Sequence, residues 1–340
     1  MIRVLYITAA NLSLRRGHVR NIVKTVEALQ NTGEAEVKIV SSRDKEHGGF
    51  LMLAVFRERE NFDMLYFRDP KLILPVFAAR LLGKKIVFEA HGSEEWRFLA
   101  WLWRLAFRMS DGAVFITHKL AKWYGAGEKP HVVTHVNAPE ILRYERSANK
   151  IVEFKKTRML PEDKKILLYL GSTLWYDIPS LLGMVTLLPR ENALVIAGLK
   201  ESEKSKMSDL AQKLGVGERV LLFGRIDANE VPLWHLSADI LLNPVAVTYA
   251  GSVSSKIYEY LAAGRPIISS PGGANDEVLN DGENALLAGE PFAENFARAA
   301  RKILENPELA RHLSEHAKED AKKYTWEARA RSILGLLKRI

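Results

Sequence analysis
The chain alternates short, continuous apolar runs with longer stretches whose apolar residues recur every three or four positions. Val4–Thr8, Val37–Val40, Met64–Phe67, Ile86–Glu89, Ala113–Ile116 and His131–Thr134 are rich in β-branched and aromatic residues and too short for core helices. Such runs predict buried strands. Helical periodicity lies between them, as in Val19–Leu29 and Leu72–Leu82. The pattern restarts with Ile166–Leu170, Ala193–Ala197, Val220–Phe223, Ile240–Leu242 and Pro266–Ser270, and helical patterns follow over 292–304, 308–322 and 326–338. Strand–helix alternation at this spacing predicts an α/β protein, with parallel sheets covered by helices on both faces. The polar, charge-rich stretch 144–165, punctuated by Pro161, predicts a linker. Two doubly wound domains, 1–150 and 151–322, are therefore expected, facing across a cleft beyond the carboxyl ends of their strands.

Composition agrees with two full cores: the chain has 340 residues, 47% apolar and 26% charged, against roughly 150 residues per ordinary domain. The absence of Cys removes disulfide scaffolds, thiolate metal sites and cysteine nucleophiles. The longest charge-free run, Ile240–Ser255, is broken by Asn243, Pro244 and Gly251, whereas roughly eighteen clean apolar residues are needed to span a bilayer. Met1–Thr8 opens directly as a strand, without the regions of a signal peptide, so a cytoplasmic protein is expected.

Charge is more informative. Residues 1–150 hold 24 Lys and Arg against 16 Asp and Glu, while 151–340 hold 25 of each, so the whole net charge of +8 lies in the first half. Nucleic acid, an anionic substrate or a membrane surface could each attract such a charge.

The common nucleotide motifs fail. After the first strand the chain runs from Ala9 to Gly17 without G-x-G-x-x-G, and no G-x-x-x-x-G-K-[ST] occurs. No H-E-x-x-H and no paired Asp-x-Asp suggests a metal. The informative segment is 251–287. It predicts a helix over Ser254–Ala263 that opens on small polar residues, where free N–H groups and the dipole attract anions. Lys256 stands in its first turn, where a cation opposes the dipole and helix energetics do not account for it. A bound anion would. Glu259 lies on the same face one turn later and could accept hydrogen bonds from a ribose diol.

These residues carry a resemblance. Glu259-Tyr260 with Ala262-Ala263-Gly264-x-Pro266-Ile267-Ile268 resembles the donor-binding signature of retaining, nucleotide-sugar-dependent glycosyltransferases of family 4, whose GT-B fold is two Rossmann-like domains. Glu277-Val278-Leu279 and Asp281 to Leu287 are similar to the stretch that follows it in that family. Phe88 to Gly92, Tyr169-Leu170-Gly171, Ala197-Gly198, Leu222-Phe223-Gly224, Ala238-Asp239 and Tyr324-Thr325-Trp326 match in order. The likeness is dense in the second half and loose in the first.

The resemblance implies a nucleotide sugar bound by the second domain, an acceptor held mainly by the first, and no cofactor and no metal. Lys256 would neutralise the departing diphosphate, with Ser252, Val253, Ser254 and Ser255 supplying backbone donors. Glu259 would hold the ribose, and Gly224, Arg225 and Ile226 would lie near the base. Gly17, Gly171 and Ser172 would approach the diphosphate, and His91 would reach the transferred sugar or its phosphate. Charged residues common in the family are replaced here by Gly251, Ser172 and Ile178, which throws more of the phosphate role onto Lys256 or Arg225. In the resembled fold the last helix, 323–340, returns to the first domain and makes the acceptor side more basic still.

Residues 96–108 hold three Trp, with Arg97, Arg104 and Arg108 on one helical stripe. This is either a buried helix with one solvated edge or a peripheral membrane-surface helix, to which Arg15-Arg16-Gly17-His18 and Arg20 would add an anion site. The expected acceptor is an anionic glycan or a lipid-linked one, at the inner membrane surface. Two other classes remain: a nucleotide- or sugar-binding relative without turnover, and a nucleic-acid binder. The second lacks any recognition motif, so no nucleic acid is expected as partner.

Overall fold
The computed structural model describes residues 1–13, 17–42, 50–91, 100–135, 139–246 and 253–340. It forms two units: Met1–Ala138 together with Tyr324–Ile340, and Pro139–Lys323.

In the first unit, strands β1 (Ile2–Thr8), β2 (Ala35–Ser41), β3 (Met64–Phe67), β4 (Lys85–Ala90), β5 (Gly112–Phe115) and β6 (His131–Val133) form a parallel sheet. Their order is β2-β1-β3-β4-β5-β6. Helices α1 (Gly17–Gln30), α2 (Leu51–Arg57), α3 (Ile73–Leu81), α4 (Ala100–Met109) and α5 (His118–Tyr124) connect them. Alternate side chains serve opposite faces, as strand geometry requires. Leu5 and Ile7 join Phe67, Phe88 and Phe115 under α2 to α5. Val4 and Tyr6 join Tyr66, Val87 and Val114 beneath α1 and the C-terminal helix Trp326–Leu337. Because both faces are covered, the strands read as unbroken apolar runs.

The C-terminal helix starts at Thr325, whose hydroxyl accepts from the Ala328 N–H at 3.1 Å. It buries Ala330, Ile333, Leu334, Leu336 and Leu337. A Cβ on Gly112 would stand 3.2 Å from Leu336 and Ile340, so β5 and the chain end are in tight contact.

The second unit opens with α6 (Ile141–Ser147) and α7 (Ile151–Thr157). It continues through β7 (Lys165–Leu170), α8 (Ile178–Thr186), β8 (Asn192–Ala197), α9 (Glu201–Lys213), β9 (Val220–Phe223), α10 (Val231–Ser237) and β10 (Ile240–Asn243). Then come α11 (Ser255–Ala263), β11 (Ile267–Ser269), β12 (Leu286–Leu287), α12 (Phe292–Leu304) and α13 (Pro307–Ala321). The sheet is again parallel, ordered β12-β11-β10-β7-β8-β9. This is the doubly wound order, and the direction of winding reverses between β7 and β10. Ligands of such sheets bind beyond the carboxyl ends of the strands at that reversal.

The expected linker is corrected by the structure. Residues 144–165 are largely helical, and 139–150 belong to the second unit rather than the first. The cause is burial: Tyr144 and Phe154 pack on α10, with Phe154 edge-on to Trp234 at 5.2 Å between ring centres. A polar stretch with one apolar residue per turn is enough to clamp a helix. β12, only two residues long, carries no periodicity that sequence could show.

Candidate functional site
At the reversal of the second sheet, β7 ends on Tyr169 and Leu170, Gly171 follows, and α11 begins beside it. Lys256 extends from the first turn of α11 across Gly171. A Cβ on Gly171 would meet the Lys256 Cε at 2.5 Å and Nζ at 3.0 Å, and φ is +138° there, so glycine is required twice over. The ammonium lies 3.4 Å from the centre of the Tyr176 ring and 5.1 Å from that of Tyr169. Among the described residues no carboxylate lies within ion-pair distance of it. Burial alone pulls its pKa down to about 7. Among the described residues aromatic faces are what hold this cation against the helix dipole; they contribute on the order of 2 kcal/mol, and the lowered pKa shows that this does not offset its burial. That leaves it suited to an arriving anion.

The neighbouring loops approach closely. Gly198, with φ +95°, would place a Cβ 3.1 Å from the backbone N and O of Gly171, and its N–H donates to the Gly224 carbonyl at 3.0 Å. The loops after β7, β8 and β9 are thereby stacked, which carries Gly224, Arg225 and Ile226 to the carboxyl end of β9, two strands from β7. Arg225 is exposed there.

Ser254, at the N-cap of α11, is buried and its polar atoms are spent inside the protein. Its N–H donates to Asn275 Oδ1 at 3.2 Å, and its hydroxyl contacts Asn243 Oδ1 at 3.3 Å and the Tyr176 hydroxyl at 2.9 Å. Val253 is buried and Ser255 exposed. Ser172 is exposed, and its carbonyl accepts from the Tyr169 hydroxyl. Ile178 is buried in the core of this unit. Glu277 ends a short turn, Asn275–Glu277. Ser252 and Gly251 lie outside the described residues, as do parts of 15–20 and 96–108.

Glu259 is held from below. The Tyr144 hydroxyl donates to Glu259 Oε2 at 2.6 Å and accepts from His235 Nδ1 at 2.8 Å. His235 is buried, and desolvation first, then Lys256, pushes its pKa down to about 3, so the ring is neutral. Among the described residues its Nε2 has no hydrogen-bond partner.

His91 belongs to the first unit, at the end of β4. Its Nε2–H faces Glu89 Oε1, and its Nδ1 accepts from Arg68 Nη2 at 3.1 Å. Burial, then Arg68, lowers its pKa to about 4. Glu89 is fully buried and also accepts from the Tyr66 hydroxyl at 2.5 Å and from Arg329 Nη2 at 2.8 Å. Desolvation opposes its charge, but Arg329 leads the groups that hold the carboxyl well below its ordinary range. Gly17 is the first residue of α1.

The structure therefore brings Gly171, Ser172, Ser254, Ser255, Lys256 and Glu259 together around β7 and α11. Tyr169, Tyr176, Tyr144 and His235, which set their positions, were not found from sequence. Tyr169 sits inside the matched Tyr169-Leu170-Gly171, where a strand-end tyrosine was the available signal. A separate cavity of about 510 Å³ between α8 and α12 is walled by Asp177, Glu290 and Glu294 and is too acidic for a diphosphate. Among the described residues no three His, Asp or Glu side chains group as a metal site.

Comparison with known proteins bears on the fold and the family. HepE of Anabaena, solved with UDP, superposes over 100% of both chains with a TM-score of 0.80 at 14% identity, which shows a shared GT-B fold. An uncharacterized glycosyltransferase of Methanocaldococcus jannaschii is 26% identical over 191 residues, covering 55% of this chain and 48% of that protein. A D-inositol 3-phosphate glycosyltransferase of Catenulispora acidiphila is 26% identical over 224 residues, covering 62% and 51%. The chain thus spans about half the length of these relatives. Residues 151–320, which contain Lys256 and Glu259, match the family model described as glycosyl transferases group 1, and the chain belongs to that family.

Proposed function
We propose that the chain is a retaining, metal-independent glycosyltransferase of the hexosyl type, moving sugar from a nucleotide-diphosphate sugar to an acceptor hydroxyl. The observation that carries this is Lys256: an ammonium with no carboxylate partner among the described residues, seated over Gly171 at the start of α11. As the bond from the anomeric carbon to the diphosphate breaks, negative charge grows on the leaving oxygen. Lys256 and the first N–H groups of α11 stabilise it. The acceptor oxygen bonds to the same face of the anomeric carbon, and its proton passes to the departing phosphate oxygen. Glu259, whose carboxylate Tyr144 orients, takes the ribose diol. HepE, in the shared fold, was solved with UDP and with UDP-glucose, which supports a uridine donor as the first to try.

His91 enters in a narrower role than sequence alone gave it. Both its ring nitrogens are engaged, so contact with the donor requires Arg68 to yield Nδ1 to a sugar hydroxyl. The first unit holds 25 Lys and Arg against 15 Asp and Glu, and the second 24 against 26. The basic excess thus belongs to the first unit, and it supports an anionic glycan or lipid-linked acceptor bound by that unit, at the cytoplasmic face of a membrane.

The test is incubation with a panel of UDP, GDP and ADP sugars and acceptors, read by release of nucleoside diphosphate and by anomeric configuration of the product. Release that depends on acceptor and is lost in Lys256→Met supports the proposal; an inverted product overturns the retaining step. A second reading, binding without turnover, is favoured by the core position of Ile178 and by Ser172. It predicts nucleotide-induced thermal stabilisation with no diphosphate release from any donor.

A further inference from the structure
The first unit exposes apolar side chains where a surface helix should be polar. Along α3, Val76 and Ala79 face the core, while Leu74, Phe77 and Leu81 stand outward at one helical stripe, 63%, 48% and 83% exposed. Its one charged residue, Arg80, is tied to Asp111 at 3.1 Å and to the Met109 carbonyl. α2 repeats the arrangement: Leu51, Ala54 and Val55 are buried, and Met52, Leu53 and Phe56 are exposed. α2 packs beside α3, and α3 beside α4, on the same face of the sheet. Of the sixteen large apolar side chains exposed among the described residues, eight come from this stretch, counting Phe50 and Trp101. The rest are dispersed, seven of them over the second unit.

The surround is basic. Segments 50–60, 70–85 and 100–111 contain eight Lys and Arg but only Glu58, Glu60 and Asp111 as acids. Glu58 is already paired with Lys38 at 2.8 Å, and Asp111 with Arg80. Among the described residues no helix is long and apolar enough to cross a membrane. A second copy of the chain docked on this face by two-fold symmetry would set the same cations against each other. An anionic bilayer would meet both features, since apolar side chains enter the headgroup boundary while the basic rim faces lipid phosphates.

We propose that the outer face of α2 and α3, formed by Met52, Leu53, Phe56, Leu74, Phe77 and Leu81, docks the protein on an anionic lipid bilayer. The docking surface is then centred on these helices rather than on 96–108, of which the described part contributes Trp101 at its edge. The inference uses the first unit alone and stands apart from the glycosyl-transfer proposal.

Cosedimentation of the full chain with vesicles tests it, using phosphatidylcholine alone or with 30% phosphatidylglycerol. The wild type is expected to sediment with the anionic vesicles and to be released by high salt. Leu74→Ser/Phe77→Ser/Leu81→Ser should lower partitioning by about tenfold or more, whereas Leu142→Ser/Val152→Ser, on exposed sites of the second unit, should not. All five positions are exposed, so unchanged circular dichroism is expected in both variants. Undiminished binding of the triple variant overturns the proposal, as does failure of the wild type to bind anionic vesicles. A concentration-dependent dimer that the triple variant abolishes, with no lipid binding, overturns it in favour of self-association.

Discussion

Arg329 Nη2 and Glu89 Oε1 lie 2.8 Å apart, both groups almost wholly out of solvent, although 240 residues separate them in the chain. The guanidinium also donates to Thr25 Oγ1 at 3.1 Å and to the Thr134 carbonyl at 2.9 Å. One side chain of the C-terminal helix thus ties together α1, β4 and the end of β6. Removing one partner of such a pair costs about 3–5 kcal/mol, because the other charge stays buried. Arg329→Met should therefore lower the denaturant midpoint sharply. Arg329→Met with Glu89→Gln should recover part of the loss. If the double variant is no more stable than Arg329→Met, the charge pair is not what holds the helix.

Two buried histidines, one beside Glu89 in the first unit and one beside Tyr144 in the second, set acid sensitivity. His91 and His235 are neutral in the folded state, with pKa values of about 4 and about 3, against about 6.5 unfolded. The unfolded chain binds their protons first, so folding stability falls as pH drops below about 6.5 and continues to fall toward pH 4. Each group contributes a slope of about 1.4 kcal/mol per pH unit in that window. Glu89, held low, adds its own loss at still lower pH. Urea unfolding at pH 7.5, 5.5 and 4.5 should show the decline, and His235→Gln should flatten it by about one proton. A slope identical to wild type in that variant would mean His235 is protonated inside the fold.

Lys256, with a pKa of about 7 when the site is empty, should take up a proton when a diphosphate arrives, because the anion favours the ammonium. Between about pH 7 and 9 the enthalpy of UDP binding should vary with the ionisation enthalpy of the buffer, with a positive proton count. Affinity should weaken as pH rises through that range. Both effects should vanish in Lys256→Met. Calorimetry showing the same proton uptake in the variant would remove Lys256 from the phosphate.

Two glycines separate the seat of Lys256 from the fold around it. In Gly171→Ala the new methyl collides with the flexible lysine stem, which can move away. In Gly198→Ala it collides with the backbone of Gly171, which cannot. Both carry positive-φ strain of about 1 kcal/mol or more. Gly171→Ala should lose the UDP-induced thermal shift at a modest cost in melting temperature. Gly198→Ala should lose several degrees in the absence of any ligand. The reverse order would show that the lysine, not the loop stacking, is the rigid part.

How far these features could be read from sequence follows from the range of the forces involved. Burial on both faces makes a strand a continuous apolar run, a local signal, so the strands other than β12 stand out, and β7 and β8 fall within a residue of their observed bounds. Lys256 was visible because a cation in a first helical turn is locally unfavourable. Tyr176 was not, since its ring reaches the lysine from a loop eighty residues away. Arg329 left one trace: it falls on the apolar stripe with Trp326, Ala330 and Ile333, where an unpaired arginine could not be buried. Its partner Glu89 sits in a strand read as wholly apolar but for that residue. The helix over 141–147 gave no such sign, because only Tyr144 in it is buried.

Tyr144 offers the closest test of the ribose assignment. Its hydroxyl fixes Glu259 Oε2, and His235 fixes the hydroxyl in turn, so the pair sets the orientation of the carboxylate proposed to take the diol. A hydrogen bond to a charged acceptor is worth about 1.5–3 kcal/mol. Tyr144→Phe keeps the ring that packs over His235 but lets the carboxylate turn. It should weaken UDP binding about tenfold or more and weaken 2′-deoxy-UDP far less, narrowing the preference between the two. Glu259→Gln should narrow the same preference. If Glu259→Gln narrows it and Tyr144→Phe does not, the carboxylate is oriented by other contacts; if neither does, the ribose lies elsewhere.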